Sequence, residues 1–135
     1  MKSTKEFFQN KKILIYGYGK TGKSAFNFLK TKNNLKVFDD NLPLTNLPYN
    51  KKFTRGSDSV RNFDYVLLSP GINYRKCLLS KEIIKNKEKI ISDLDVFYKS
   101  FPENFFITIT GTNGKSTTCK LLYPVSYTHL RAHET

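Results

Sequence analysis

Cysteines and long apolar runs are scarce in this sequence of 135 residues. The two cysteines, Cys77 and Cys119, form neither a CxxC pair nor a metal-ligand spacing, so no disulfide framework or zinc site is predicted. The longest apolar runs, such as residues 66–68, are far too short to cross a bilayer. The first residues, "MKSTKEFFQNKK", lack the apolar stretch and cleavage site of a secretory signal. We therefore expect a cytoplasmic chain with no membrane partner.

Acidic residues are also few, 11 against 23 lysines and arginines, which gives a formal net charge of +12. Such a charge can indicate a nucleic-acid partner. The lysines, however, are spread along the whole chain among Asn, Ile, Phe and Tyr, and no stretch interleaves basic and aromatic residues as a base-stacking surface would. This pattern favours a compositional bias and no nucleic-acid partner. A basic nucleic-acid-binding module, recognisable by steep salt dependence, stays open as an alternative.

The apolar residues predict an α/β fold. Short apolar runs alternate with helix-like segments, which is the pattern of a parallel sheet with crossover helices. The predicted strands are residues 12–16, 35–40, 64–69, 89–91 and 105–110. The predicted helices are one from Gly22 that buries Ala25, Phe26 and Leu29, one around Leu79, Ile83 and Ile84, and one capped by Asp93 that turns Leu94, Phe97 and Tyr98 inward.

A glycine-rich turn, "GYGKTG", lies between the first strand and the first helix. Its glycines at 17, 19 and 22 match G-x-G-x-x-G, in which one makes a tight turn, one admits a diphosphate and one lets helix and strand pack closely. The helix N-terminus offers free N–H groups and partial positive charge, to which Lys20 and Lys23 add. The motif predicts a bound diphosphate, and a merely tight turn is the alternative.

Polar residues follow the next two strands. Asp39 and Asp40 come about twenty residues after the glycines, where an acid binds ribose in dinucleotide enzymes and could hold a base or ribose in a nucleotide-sugar site. Ser69, Pro70 and Gly71 end the strongest strand, at the edge where ligands of open α/β sheets bind. A solvated strand end and a simple turn are the respective alternatives.

A second glycine loop, "TGTNGKST", occupies residues 110–117 after an apolar strand. It lacks one glycine of the standard P-loop, because Ile109 stands five residues before Gly114. Backbone N–H groups of such a loop can hold β- and γ-phosphates, with Lys115 as a point charge and the hydroxyl of Ser116, or of Thr117, on Mg²⁺. The loop predicts an ATP site with Mg²⁺.

Four stretches in this order and spacing resemble the Mur ligase family: "GYGKTGKS", "LLSPGI", "ISDLDVF" and "TGTNGKST". The last is the form that the family uses in place of the standard P-loop. The resemblance covers Lys12 to about Leu122, nearly all the plausible native chain. This chain departs from the family pattern at Asp40, where Thr is often found, and at Ser92, where Gly is usual.

The resemblance implies a Rossmann-like UDP-binding domain over residues 1–101 and the truncated start of an ATP-binding domain over residues 102–123. We expect residues 124–135, which have a different composition, to be a non-native tail. The implied UDP-site residues are Gly19, Lys20, Thr21 and Gly22 at the diphosphate, Asp39 and Asp40 at the uracil, and Ser69, Pro70 and Gly71 beside it. The implied ATP-site residues are Gly111, Thr112, Asn113, Gly114, Lys115, Ser116 and Thr117, with Lys115 catalytic and Ser116 on the metal.

The family's activity is amide-bond formation. The resemblance implies ATP-dependent addition of D-glutamate to UDP-N-acetylmuramoyl-L-alanine in peptidoglycan synthesis, through an acyl phosphate, by a monomer with ATP and Mg²⁺. The family's other catalytic residues have no counterpart in this chain, so we expect an N-terminal part that is inactive alone. An NAD-binding Rossmann module is the main alternative, because Gly17, Gly19, Gly22 and Asp39 would also suit it.

Overall fold

A computed structural model describes residues 6–105 of the chain. The chain divides into two compact units, Met1–Pro102 and Glu103–Thr135. The second glycine loop, its strand beyond Phe105, and the tail from Pro124 lie outside the described residues. The predictions made for them, including the ATP site, therefore stay predictions.

The first unit is built on a four-stranded parallel sheet with the order β2-β1-β3-β4. The strands are β1 Lys12–Tyr16, β2 Asn34–Phe38, β3 Tyr65–Leu68 and β4 Ile90–Ile91. The helices are α1 Lys20–Leu29, α2 Ser80–Lys85 and α3 Asp93–Ser100, with short 3₁₀ helices at Tyr49–Lys51, Val60–Asn62 and Lys87–Lys89. This arrangement confirms the predicted Rossmann-like α/β fold.

The central strand β1 divides the core into two layers because successive side chains point to opposite faces. Ile13 and Ile15 pack in the layer that contains α1 and the α3 residue Val96. Leu14 and Tyr16 pack in the other layer, which contains Ile83 of α2 and Leu79, the residue before that helix. These four side chains are completely buried, as expected for a parallel strand covered by helices on both faces.

The helix α1 confirms its predicted buried face and corrects its start. Ala25, Phe26 and Leu29 are buried against the sheet. The helix begins at Lys20, two residues before the predicted start, so Gly22 lies inside its first turn. No helix within residues 6–105 is both long and apolar enough to cross a membrane.

The helix α3 differs from its prediction at two points. Its N-cap is Ser92, and Asp93 is the first helical residue. The helix also buries Val96, whereas Leu94, Phe97 and Tyr98 are 60%, 49% and 41% exposed. The inward-facing prediction was wrong because the cap at Ser92 and the packing of Val96 together set the rotation of the helix. The spacing of apolar residues alone does not determine which side of the helix faces the core.

Candidate functional site

A cleft of about 640 Å³ lies where the carboxyl ends of β1, β2 and β3 meet. Three predicted groups of residues line it: Gly19, Lys20 and Thr21; Asp39 and Asp40; Ser69, Pro70 and Gly71. They converge because the strands are parallel, so the loops that follow them leave the same edge of the sheet. Ile72, the last residue of the predicted stretch "LLSPGI", also lines the cleft, and five further residues line it without having been predicted: Asn41, Leu42, Asn73, Lys76 and Cys77.

Gly17 makes the tight turn that ends β1. Its φ is +99°, a conformation that favours glycine, and its N–H donates to the carbonyl of Phe38 at 2.7 Å. A Cβ here would lie 2.6 Å from Ser69 Oγ. The absence of a side chain at Gly17 thus brings the first and third loops together, and the Ser69 hydroxyl lies 3.4 Å from the Gly17 carbonyl.

Gly22 lies behind the loop and does not line the cleft. A Cβ at this position would lie 1.9 Å from the carbonyl oxygen of Gly17. The third glycine of the motif therefore allows α1 to pack on the turn. Its predicted contact with a diphosphate stays a prediction.

The N-terminus of α1 faces the cleft without a side-chain cap. Its N-cap Gly19 has an extended backbone, and the first helical hydrogen bond runs from Lys23 N to Gly19 O at 2.9 Å. The N–H groups of Lys20, Thr21 and Gly22 therefore have no partner within the helix. The first turn contains no acidic residue. This end of the helix is suited to an anion, with Lys20 and Thr21 beside it. The Lys23 ammonium lies over the Tyr18 ring instead.

Asp39 closes the loop after β2. Its carboxylate accepts hydrogen bonds from the N–H groups of Tyr18 at 2.7 Å, Asn41 at 2.9 Å and Leu42 at 2.7 Å. Burial raises the pKa of Asp39, but the three hydrogen bonds together lower it by more than burial raises it. The pKa of Asp39 therefore lies below its ordinary value. Asp39 is therefore an anion at neutral pH and connects the first loop to the second.

Asp40 connects the second loop to the third through a buried tyrosine. Tyr16, at the end of β1, donates its hydroxyl hydrogen to one oxygen of Asp40. The other oxygen accepts from Leu78 N at 3.2 Å, and Leu79 N donates to the Tyr16 hydroxyl at 3.4 Å. Burial, with a further contribution from the Asp40 hydrogen bond, raises the pKa of Tyr16 well above its usual range, so the phenol stays protonated.

The third loop begins with a turn attached to β1. Ser69 N donates to Tyr16 O, and Ile72 N donates to Ser69 O, both at 3.0 Å. Gly71 is exposed, and a Cβ there would meet open space. The unpredicted cleft residues Asn73, Lys76 and Cys77 continue this loop. Their position after a strand that ends at the cleft could have indicated these residues. They were missed because lysines are frequent throughout the sequence, so Lys76 did not stand out.

No group of His, Cys, Asp or Glu side chains among residues 6–105 could hold a metal ion. The predicted magnesium ligand, Ser116, lies outside that part of the chain. The polar groups that line the described cleft are backbone N–H groups, lysines and carboxylates.

Curated proteins similar to this chain share one name. UDP-N-acetylmuramoylalanine–D-glutamate ligase of Rickettsia prowazekii is 40% identical over an alignment of 124 residues, and the match covers 85% of this chain and 27% of the relative. The enzymes of that name from Francisella philomiragia and Buchnera aphidicola are 36% and 37% identical, each over 86% of this chain. Over the matched region the chain is similar to these ligases, in agreement with its resemblance to the Mur ligase family. It spans about a quarter of the length of these relatives. No family model and no solved structure matches it.

Proposed function

We propose that the cleft binds the UDP part of UDP-N-acetylmuramoyl-L-alanine. The chain would then supply the substrate-binding unit of an ATP-dependent D-glutamate ligase of peptidoglycan synthesis. The observation that carries this proposal is the convergence of the three predicted loops on one cleft beside an uncapped helix N-terminus. The names of the relatives support the choice of a UDP-linked substrate.

In this proposal the diphosphate lies at the start of α1. The N–H groups of the first turn donate to its oxygens, the Thr21 hydroxyl adds a hydrogen bond, and Lys20 adds a positive charge. The helix end is already formed and free of acidic side chains, so little reorganisation accompanies binding. Gly22 contributes its N–H group while packing on the turn.

The uridine lies toward Asp39, Asp40 and Gly71 in the same proposal. A carboxylate has about four acceptor positions. Asp39 uses three for backbone N–H groups, and Asp40 uses two for Tyr16 and Leu78. Each therefore retains acceptor capacity for the N3–H of uracil or for a ribose hydroxyl. Ser69 and Pro70 shape the wall beside the exposed Gly71.

We further propose that Gly111, Lys115, Ser116 and their neighbours through Thr117 hold ATP and Mg²⁺. ATP would transfer its γ-phosphoryl group to the substrate carboxylate, giving an acyl phosphate and ADP, and the amine of D-glutamate would then attack the acyl carbon and release phosphate. Lys115 would offset the phosphate charge and Ser116 would ligate the metal. Because the relatives are about four times as long as the matched region, we expect this chain alone to bind the UDP substrate without forming product.

Titration of the 135-residue chain with UDP, with UDP-N-acetylmuramoyl-L-alanine and with NADH tests the proposal. We expect the two uridine nucleotides to bind and to raise the melting temperature, and NADH to do neither. Thr21→Val should weaken UDP binding by about 1–3 kcal/mol because it removes a hydroxyl donor while keeping the shape. Thr31→Val, at an exposed threonine outside the cleft, is the matched control.

Two results would contradict the proposal. Tight NADH binding with no response to UDP would indicate the dinucleotide-binding alternative. Binding of nucleic acid with a steep salt dependence, again without a response to UDP, would indicate the basic binding module.

A further inference from the structure

A second lysine lines the cleft on the side away from α1. Lys76 belongs to the loop after β3, and its side chain is exposed. Between residues 6 and 105 its ammonium group has no hydrogen bond or ion pair. Lys20 reaches the cleft from α1, which packs on one layer of the core. The loop that carries Lys76 packs on the other layer through Ile72, Tyr74 and Cys77.

The backbone on both sides of Lys76 is held in place. Before it, Asn73 forms a turn in which its side-chain oxygen accepts from Arg75 N at 3.0 Å and its carbonyl accepts from Lys76 N at 3.0 Å. The same carbonyl accepts from Cys77 N at 3.1 Å. After it, Leu78 N donates to Asp40. The position from which the lysine side chain extends is therefore defined by the fold.

The buried Tyr16 fixes the far end of this loop. Its hydroxyl donates to Asp40 and accepts from Leu79 N, so one buried phenol joins the end of β1 to the loop after β3. Tyr16 is completely buried and does not line the cleft. A change at Tyr16 can therefore act on a ligand in the cleft only through the residues it positions.

The charges of the cleft require more than one cation for an anionic ligand. Asp39 and Asp40 both line it and repel a diphosphate. The helix N-terminus carries only about half a positive charge, and Lys20 adds one more. Lys76 supplies the additional charge that offsets the second carboxylate.

We infer that Lys76 pairs with the diphosphate of the nucleotide from the side of the cleft opposite α1, and that Tyr16, through Asp40, positions the loop that carries it. This inference rests on the proposed function, because it assumes a nucleoside diphosphate in the cleft. It adds a residue for which the sequence motifs give no signal.

Lys76→Met and Arg75→Met form a matched pair of variants. Each removes one exposed positive charge from adjacent positions, but Arg75 contacts Tyr74 and does not line the cleft. We expect Lys76→Met to raise the Kd for UDP about threefold to tenfold at low salt. Arg75→Met should leave it nearly unchanged. The difference should shrink at 0.5 M salt, where charges more than about 4 Å apart are screened.

Uridine separates a phosphate contact from a base contact. If Lys76 pairs with the diphosphate, Lys76→Met should leave the uridine affinity unchanged while weakening UDP. Tyr16→Phe should also weaken UDP, and its effect should be smaller when Met already replaces Lys76. A double-mutant cycle measures this coupling, which a purely structural change at Tyr16 would not show.

The outcomes distinguish this inference from the function on which it rests. If the wild-type chain binds UDP but Lys76→Met and Arg75→Met change the Kd for UDP equally, the inference is overturned and the proposed function stands. Equal losses of UDP and uridine affinity in Lys76→Met would also overturn it. If wild type does not bind UDP, both proposals fail together.

Discussion

The glycines of the first loop differ in physical function although the motif presents them alike. Gly17 has a positive φ and lies against Ser69, and Gly22 lies against the Gly17 carbonyl, whereas a Cβ at Gly19 would have no atom within 4 Å. Gly17 and Gly22 are therefore required by the fold itself. Gly19, by contrast, leaves room for a ligand beside the helix N-terminus.

Gly22→Ala should destabilise the protein strongly. The new methyl group would lie 1.9 Å from a backbone oxygen that no side-chain rotation can move, so α1 must shift away from the turn. We expect a loss of about 2–4 kcal/mol in the free energy of unfolding, measured by urea denaturation. Gly19→Ala, which meets no atom within 4 Å, should change it by less than about 1 kcal/mol. Equal effects of the two variants would contradict the packing explanation.

At the scale of the element, α3 shows how a local hydrogen-bond pattern sets a helix start. The Ser92 side chain accepts from Asp95 N at 3.1 Å, and the Asp95 carboxylate accepts from Ser92 N at 2.9 Å. This reciprocal pair is a capping box, formed here with Asp in place of the more common Glu or Gln. The residue that departs from the family pattern, Ser92, is thus the one that begins the helix.

Ser92→Ala should lower the free energy of unfolding by about 1 kcal/mol, because the Asp95 N–H loses its acceptor. Ser24→Ala, at an exposed position inside α1, is the control. That change should be neutral or slightly stabilising, since alanine favours a helix interior. Thermal or urea denaturation of both variants measures the difference. A loss at Ser24 as large as that at Ser92 would argue against a specific capping effect.

At the scale of the whole molecule, the formal charge is +12, so each ionised carboxylate reduces the repulsion among the excess positive charges. Asp58 accepts from Lys36 Nζ at 2.8 Å and from Thr54 N at 2.7 Å, and the pair is mostly buried. Burial raises the pKa of Asp58, but its hydrogen bonds and ion pair lower it below the ordinary value of 3.8. The pKa of Asp39 is likewise lowered by its backbone donors, against the effect of burial.

Stability should therefore fall in acid. A lowered native pKa stabilises the fold fully above pH 3.8, and this stabilisation is lost as the pH falls from 3.8 through the lower native value. Asp58→Asn should reduce stability at pH 7 and flatten its decline below pH 4, measured as the free energy of unfolding against pH. Glu88→Gln, at an exposed carboxylate without a hydrogen bond among residues 6–105, should leave the profile unchanged. An unaltered acid profile in Asp58→Asn would contradict this account.

The sequence alone determined the strand positions, the parallel fold and the three loops that form the cleft. These follow from local causes: β1 is a short apolar run, the glycines permit a tight turn, and loops after parallel strands share one edge. Only the tertiary structure decided the rotation of α3 and the link from Tyr16 through Asp40 to Leu78. The link joins residues far apart in the chain, such as Asp40 and Leu78, and the rotation of α3 depends on the packing of Val96 in the core. Neither periodicity nor motif spacing encodes which of them meet, because that is set by how the layers pack.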